Sequence, residues 1–318
     1  MNIRSCPICS STKYKVIFSF DYDYVLNVLK LDAKLLELVD FKEGSFSNIV
    51  NCLSCNSSYI REDFEIDNNL DAYFELNQTD YQNKDHSNIN QGVRKTWLDK
   101  LTGKEFVNNS ILNILSAYCR KDLYSPIAEK PVKLLDFGCG WGNWLKQLTH
   151  YNFIDCYGYD INKFKVNSLN QLGINAFYDI DEIRKVGLFD IIICNDVIEH
   201  VDNPNQVMET LGSLIKPGGV LYAAVPRFSK KDMIKASLEM KKRKRLKLFH
   251  LGHINYLTPE AFKGAMATNG FKPINSQTTS ITWVSGPIKS NLIGLAKFII
   301  KIILYPFTSK YTNIWMKS

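Results

Sequence analysis

The chain of 318 residues lacks any uncharged apolar run of about 18 residues or more, which argues against a membrane-spanning helix. Its first residues also lack the apolar segment of a secretory signal, so we expect a protein that stays in the cytoplasm. No internal repeat is present, and the hydrophobic fraction of 45% excludes a wholly disordered or collagen-like chain. The length favours one large domain with a smaller appendage.

Positive charge is concentrated in one segment of the chain. Lys and Arg number 39 against 32 Asp and Glu, a formal net charge of +7. The segment 230–247 carries nine of the basic residues against Asp232 and Glu239, so the rest of the chain is electrically balanced. Such a patch attracts phosphate on a nucleic acid, a nucleotide substrate or an anionic membrane, and a plain solvated helix face is the alternative.

Composition divides the chain into four regions. Residues 1–62 bear cysteines and β-rich stretches, and residues 63–128 are rich in tyrosine and then helical in pattern. Residues 129–286 alternate short apolar runs with amphipathic stretches, which is typical of βαβ units around a parallel sheet. We therefore expect a small domain over 1–62, a helical linker or lid over 63–128, an α/β domain over 129–286 with a basic insertion at 227–250, and an amphipathic helix within 287–318.

Several elements of the α/β domain can be predicted individually. The apolar runs VKLLDF, DCYGYD, INAFY, FDIIICN and VLYAAVP predict strands, and DVIEHV predicts a helix after the fourth of them. Thr258 and Pro259 predict a helix start, with threonine as the cap and proline in the first turn. The stretches 271–278 and 280–285 are expected to pair and to close the sheet.

A glycine-rich turn follows the first predicted strand, in LLDFGCGWGNW. A helix follows it, and Asp160 ends the next strand twenty residues after Gly140. Glycines in such a turn permit a sharp reversal, close approach of a ligand to the backbone, and close helix packing. Asp160 can accept hydrogen bonds from both hydroxyls of a ribose. The spacing is not the dinucleotide pattern, since it reads D-x-G-x-G-x-G from Asp136.

Four ordered motifs resemble the class I S-adenosylmethionine-dependent methyltransferases. They are DFGCGWG, FDIIICNDVIEHVDNP, KPGGVLYAAVP and GHINYLTPEAFKGAMATNGF, and together they look like the branch of ubiquinone-type O-methyltransferases and bacterial glycan-tailoring enzymes. The resemblance implies a Rossmann-like sheet of seven mostly parallel strands flanked by helices, and S-adenosylmethionine as cofactor. It implies cofactor contacts from Asp136, Gly138, Cys139, Gly140, Gly142, Asp160, Ile161, Asp179, Ile180 and Asn195.

The resemblance also divides this set by role. Asp136 and the glycine turn would hold the methionine part, Asp160 the ribose, and Asp179 with Ile180 the adenine. The residue types agree, because a cationic sulfonium and an α-amino group call for carboxylates and aromatics. A pyrophosphate would instead call for bare backbone N–H groups at a helix N-terminus.

Four cysteines form two C-x2-C pairs near the start of the chain. Cys6 and Cys9 precede Cys52 and Cys55 by a spacer of 42 residues. Two such pairs suit tetrahedral zinc, and we predict one closed, structural zinc ion here. A redox pair is the alternative, but the thioredoxin-like βαβ context is missing. A ribbon of this kind before such a domain resembles bacterial enzymes that methylate sugars or surface glycans, and also some ribosomal RNA methyltransferases.

An alcohol acceptor loses a proton as it receives the methyl group, and histidine suits that task at neutral pH. His200 and His253 are the candidate catalytic residues, because both are predicted at the carboxyl edge of the sheet, where open α/β folds bind ligands. A packing or capping role for His200 and a backbone-bonded loop role for His253 are the alternatives. Proximity and alignment alone can also suffice, without a base.

These observations predict methyl transfer to a hydroxyl of a sugar or surface-glycan intermediate, nucleotide- or lipid-linked forms included. An RNA methyltransferase and a non-catalytic module that keeps the cofactor fold are the alternatives. The stretch 292–307 predicts a helix with a wide apolar face and a narrow lysine stripe. With segment 230–247 it predicts peripheral contact with the inner face of the membrane. Packing on the domain or a dimer seam are the other options for this helix.

Overall fold

The computed structural model describes residues 3–28, 33–38, 41–62, 114, 131–149, 154–226, 228, 230–242, 253–274 and 314–318. The chain divides into two compact units, each assembled from distant parts of the sequence. The unit that we call the cysteine unit comprises Met1–Gly103, Asn195–Leu211 and Val225–Asn269. The unit that we call the sheet unit comprises Lys104–Cys194, Gly212–Ala224 and Gly270–Ser318.

The described residues contain strands in two sheets. In chain order these strands are β1 Tyr14–Asp21, β2 Phe46–Cys52, β3 Ser58–Ile60, β4 Val132–Phe137, β5 Ile154–Tyr159, β6 Asn175–Phe177, β7 Phe189–Asn195, β8 Ile215–Ala224, β9 Asn255–Tyr256, β10 Phe271–Pro273 and β11 Ile314–Lys317. The larger sheet has seven strands in the order β10-β11-β8-β7-β4-β5-β6. β4 runs parallel to β5 and β7, β5 runs parallel to β6, and β11 is antiparallel to both of its neighbours. The predicted seven-stranded, mostly parallel sheet is confirmed.

The central strands are almost continuous runs of apolar residues, because both faces of a parallel sheet are covered. Leu134 and Leu135 of β4 are buried, as are Ile191 to Ile193 of β7. The helices of this unit cover the sheet with further apolar side chains. Those side chains are Leu145, Leu148, Val166 and Leu169.

Short helices connect these strands. The described α-helices are α1 Ala33–Leu38, α2 Leu145–Leu148, α3 Lys163–Gln171, α4 Ile180–Val186, α5 Pro204–Leu214, α6 Lys230–Lys241 and α7 Pro259–Thr268. Side chains of Asn162, Asp179 and Thr258 cap α3, α4 and α7 by accepting a backbone N–H two or three residues further on. The helix start predicted at Thr258 and Pro259 is thereby confirmed. The helix predicted in DVIEHV is instead one 3-10 turn, Ile198–His200.

The cysteine unit contains the smaller sheet, with strand order β1-β2-β3-β9. All three pairings are antiparallel, and the last joins Ser58 to Tyr256 and Tyr59 to Asn255. An apolar core of its own lies against this sheet. It includes Phe18, Phe20, Val25, Phe41, Ile49, Ile60, Phe228, Ile254 and Tyr256.

The C-terminal part of the chain ends in the larger sheet. β11 pairs with Phe271–Pro273, so the partner of that strand is 314–317, whereas the expected partner 280–285 lies outside the described residues. The predicted apolar helix 292–307 and nearly all of the predicted lid 63–128 lie outside them as well. In the part of the chain that is described, no helix has the length and apolar character needed to cross a bilayer.

Candidate active site

The glycine turn after β4 adopts a conformation that L side chains rarely take. Gly138, Gly140 and Gly142 have φ values of 78°, 53° and 69°, in the left-handed region that glycine enters without steric penalty. The turn is tied to the end of β5, because the backbone N–H groups of Gly138 and Cys139 both donate to the carbonyl of Tyr159, at 2.7 and 2.9 Å. The local sequence and the neighbouring strand therefore fix this loop together.

The second and third glycines of the D-x-G-x-G-x-G pattern serve different needs. A Cβ on Gly142 would lie 2.5 Å from Cδ2 of Leu169, so glycine here permits α3 to pack against the turn. A Cβ on Gly140 would meet no atom of the described residues within 4 Å, so the backbone at this point borders space that they leave open. A ligand can therefore approach the backbone of the turn at Gly140.

Asp160 braces the turn from the end of β5. Its Oδ2 accepts the backbone N–H of Gly140 at 2.8 Å, and its Oδ1 accepts the backbone N–H of Asn162 at 2.9 Å. An ionised carboxylate offers about four acceptor sites, so these two bonds leave capacity for two ligand hydroxyls. The residue predicted to bind a ribose thus also holds the loop in shape.

Asp136 lies beneath the turn and is 3% exposed. Its Oδ2 is buried and accepts no hydrogen bond from the described part of the protein. Burial, with a smaller contribution from the Asp160 carboxylate, raises the pKa of Asp136 from 3.8 to about 7. A buried carboxylate without a donor is costly, and a cationic N–H donor from a ligand would relieve that cost. The residues of the turn therefore fit the α-amino group of S-adenosylmethionine.

The other predicted cofactor residues surround the ends of β5 and β6. Ile161 is 77% exposed directly after Asp160, which leaves an apolar side chain in reach of a ligand. Asp179 caps α4 by accepting the N–H of Asp181 at 2.9 Å, and Ile180 begins that helix. Cys139 is buried in the core, its N–H donates to the Tyr159 carbonyl, and its own carbonyl accepts the N–H of Gly142.

Asn195 ends β7 and is followed by a strained residue. Its Nδ2 donates to Oδ2 of Asp196 at 2.7 Å, and Asp196 has a φ of 55°. Left-handed backbone in a residue other than glycine is often held by the surrounding structure at functional sites. The bend leads directly into the turn that carries Glu199 and His200.

The two predicted catalytic histidines lie side by side in the cysteine unit. The rings of His200 and His253 are in edge contact, with centroids 4.7 Å apart. Glu199 completes the cluster, because its Oε1 lies 4.0 Å from Nε2 of His253. The ligand atoms of the three residues lie within 4.8 Å of one another, which is also an arrangement that metal ions can use.

Glu199 is the functional candidate that the sequence reasoning missed. Its side chain is 2% exposed, and neither carboxylate oxygen has a hydrogen-bond partner among the described residues. Burial, followed by the charge of Asp196, raises its pKa from 4.5 to about 7. The signal in the sequence was a carboxylate next to His200. The helix predicted in DVIEHV gave no reason to expect that Glu199 would be buried beside the histidines.

The four predicted zinc ligands are brought together. Cys6 Sγ lies 3.6 Å from Cys55 Sγ, and Cys9 Sγ lies 3.5 Å from Cys52 Sγ. Tetrahedral zinc with Zn–S bonds of about 2.3 Å separates its sulfur ligands by about 3.8 Å, close to these values. The hydrogen bond between Cys6 and Cys55, with burial as a second cause, raises the pKa of Cys6 to about 12, and the same bond lowers the pKa of Cys55.

The two cysteine pairs also share one backbone geometry. In the first pair, the Cys6 N–H donates to Ser11, and the Ser10 N–H donates back to Cys6. In the second pair, Cys52 bonds to Ser57 and Asn56 bonds back to Cys52 in the same way. Ser10 and Asn56 have φ values of 56° and 59°. Each pair is therefore the same knuckle, which presents two sulfurs to a common centre and fits a zinc ion.

Fold and site together define a class I methyltransferase domain. A family profile described as "Methyltransferase domain" matches residues 114–276, about half of the chain, and the chain belongs to this family. The predicted class of enzyme domain, dependent on S-adenosylmethionine, is confirmed.

Individual relatives carry more specific names. The ubiquinone biosynthesis O-methyltransferase of Colwellia psychrerythraea is 26% identical over 172 residues, which cover 50% of this chain and 69% of the relative. The enzyme of the same name from Ralstonia nicotianae is 29% identical over 116 residues, 33% of this chain and 48% of the relative. The chain thus spans about half the length of several curated relatives. Among solved structures, a plantazolicin methyltransferase in complex with SAH has 18% identity and a TM-score of 0.40, with 78% of this chain and 96% of that chain covered.

Proposed function

We propose that the protein transfers a methyl group from S-adenosylmethionine to a hydroxyl oxygen. The observation that carries this proposal is the buried carboxylate of Asp136, whose Oδ2 has no hydrogen-bond donor among the described residues, beneath a glycine turn that Asp160 braces. When bound, the cofactor supplies an electrophilic methyl group on a positively charged sulfur. Asp136 would accept from its α-amino group and Asp160 from its ribose hydroxyls. The adenine would be bordered by Ile161, Asp179 and Ile180.

Asn195 completes the proposed cofactor set at the end of β7. The chain leads from there through Asp196 to the cluster of Glu199, His200 and His253. In this cluster a histidine ring nitrogen would accept the hydroxyl proton of the acceptor. The carboxylate of Glu199 near Nε2 of His253 would stabilise the imidazolium that results. The raised pKa of Glu199 leaves it able to gain or lose a proton near neutral pH.

We propose that the acceptor is a hydroxyl of a sugar or surface glycan. The names of the curated relatives support oxygen as the methylated atom. The sugar rests on the resemblance of a cysteine ribbon before such a domain to bacterial sugar-methylating enzymes. An RNA acceptor is the second candidate, because segment 230–247 would attract its phosphates.

The acceptor is tested with labelled S-adenosylmethionine and three substrate panels: nucleotide- and lipid-linked sugars, polyprenyl-substituted phenols, and RNA. Incorporation into a sugar, lost in Asp160→Ala and His253→Gln, is the expected result. Incorporation into a phenol alone would support O-methylation and contradict a sugar as the acceptor. Incorporation into RNA that falls steeply with salt would replace the proposal by the RNA alternative.

We propose that the two knuckles hold one structural zinc ion. Four cysteines leave no open position for water, so the ion would organise the fold and take no part in the chemistry. Zinc would hold all four as thiolates, which removes the competition for protons between Cys6 and Cys55.

Peripheral attachment to the inner face of the membrane is also proposed. Helix α6 exposes Ile234 and Leu238, one turn apart, at 63% and 55%. The exposed lysines Lys231, Lys235 and Lys242 belong to the same segment. Apolar side chains among lysines suit the interface of an anionic bilayer, where each basic residue contributes about 1 kcal/mol.

Flotation of the full chain with phosphatidylcholine vesicles, with and without phosphatidylglycerol, tests this attachment. The wild type is expected to float with the anionic vesicles at low salt and to be released by salt. Ile234→Gln/Leu238→Gln should reduce flotation, and Leu188→Gln, which changes an exposed leucine elsewhere, should not. Wild-type protein that stays unbound under all conditions would show the attachment to be wrong.

A further inference from the structure

Strand β9 connects the cysteine sheet to the turn that carries Glu199 and His200. The N–H of Ile60, which ends β3, donates to the carbonyl of Ile254 at 2.9 Å. The N–H of Ile254 in turn donates to the carbonyl of Glu199, also at 2.9 Å. Ile254 is therefore bonded through its carbonyl to β3 of the smaller sheet and through its N–H to the buried Glu199.

The side chain of Asn255 reinforces this connection from inside the unit. Asn255 is 2% exposed, and its Nδ2 donates to the carbonyls of Ile198 and Val201 at 3.1 and 2.6 Å. These two carbonyls lie on either side of Glu199 and His200 in the chain. One amide thus clamps both ends of a turn that has only three residues in helical conformation.

The N-terminal knuckle contacts the same region from its other side. Arg4, two residues before Cys6, donates through Nη2 to the carbonyl of Asp202 at 2.8 Å and to Oδ1 of Asn255 at 3.3 Å. Asn205 donates to the carbonyl of Ile8, inside the knuckle, at 2.7 Å. The first cysteine pair is therefore bonded to the residues that follow His200.

We infer that Asn255 is a positioning residue. Together with the smaller sheet and the first cysteine pair, it holds the cluster of His200 and His253 in place. His253 lies two residues before Asn255 in the chain, and His200 lies within the turn that the Asn255 amide clamps. The edge contact between the two rings, and the approach of Glu199 to His253, depend on both segments being held. The inference rests on the proposed function only in calling this cluster catalytic.

The test compares Asn255→Asp with Asn269→Asp. The first change keeps the acceptor for Arg4 and removes both donors to the turn. The second is a matched control, because Asn269 Nδ2 also donates to a backbone carbonyl, that of Ala265 at 2.9 Å, at the end of α7. The readout is the carbon–proton NMR spectrum of the five histidine rings, with His200 and His253 assigned by single His→Gln variants.

In Asn255→Asp we expect the signals of His200 and His253 to shift or broaden. Asn269→Asp should move neither of them. Binding of S-adenosylhomocysteine by calorimetry should stay within about twofold of wild type in both variants, because the glycine turn and Asp160 bond to neither asparagine. Unmoved His200 and His253 signals in a folded Asn255→Asp variant would overturn the inference.

Two further measurements keep the outcome decisive. If Asn255→Asp fails to fold, Asn255→Ser takes its place, since it also removes both amide donors to the turn; movement of the His200 signal supports the inference and its absence refutes it. If the wild type does not bind S-adenosylhomocysteine, the proposed function fails, whereas the histidine signals still report on the clamp.

Discussion

Cofactor binding should release a proton below neutral pH, because Asp136 has to ionise. In the cofactor-free protein burial raises the pKa of Asp136 to about 7, so the group is mostly protonated at pH 6. A bound α-ammonium group favours the ionised form. A raised pKa in the free state therefore weakens binding below pH 7, and the penalty disappears as the pH rises through that value.

The size of the effect follows from the two protonation states. With a pKa of about 7, affinity should be about fivefold lower at pH 6 than at pH 7, or ~1 kcal/mol. Binding should release close to one proton per site at pH 6 and about half a proton at pH 7. The window ends near pH 7, since α-amino groups, with a pKa of about 7.7–8.0, lose their own proton above it.

Calorimetry of S-adenosylmethionine binding in buffers of different ionisation enthalpy measures both quantities. Asp136→Asn is the matched control, because it keeps the shape of the side chain and cannot ionise. That variant should bind more weakly by about 1.5–3 kcal/mol at pH 7 and show no pH dependence across the window. Wild-type affinity that is constant from pH 6 to 7, with no proton released, would refute the role given to Asp136.

Three further predictions concern the other sites. Asp160→Ala should weaken cofactor binding by about 1–3 kcal/mol through lost charge-assisted bonds, and unchanged affinity by calorimetry would contradict its assignment. Freshly purified protein should contain one zinc per chain by elemental analysis, and Cys52→Ser/Cys55→Ser should lose it; a zinc-free wild type would argue against the site. Glu199→Gln should be more stable than wild type at pH 8 by up to about 3 kcal/mol and equally stable near pH 4.5, because a raised carboxyl pKa costs stability as the pH rises from about 4.5 through about 7. Urea unfolding at both pH values checks this, and a difference independent of pH would show that ionisation of Glu199 is not its cause.

Much of the larger sheet and its cofactor turn could be predicted from the sequence, because these features are encoded by neighbouring residues. An apolar run such as VKLLDF predicts a buried strand without knowledge of its neighbours in the sheet. Closely spaced glycines predict a turn, because glycine readily takes the left-handed φ values that the turn has. Thr258 and Pro259 define a helix start in the same local way. The paired C-x2-C spacing likewise predicted which four sulfurs would meet.

Pairings between distant segments were decided only by the tertiary structure. Nothing in the local pattern of Ser58–Ile60 indicates Asn255–Tyr256 as its partner, and nothing near Phe271 indicates that 314–317 lies beside it. Hydrophobic periodicity reports which face of an element is buried, and it carries no information on what covers that face. The tertiary structure also decides that Oδ2 of Asp136 and both carboxylate oxygens of Glu199 are buried without a donor among the described residues, since a carboxylate loses its water only when remote segments close around it.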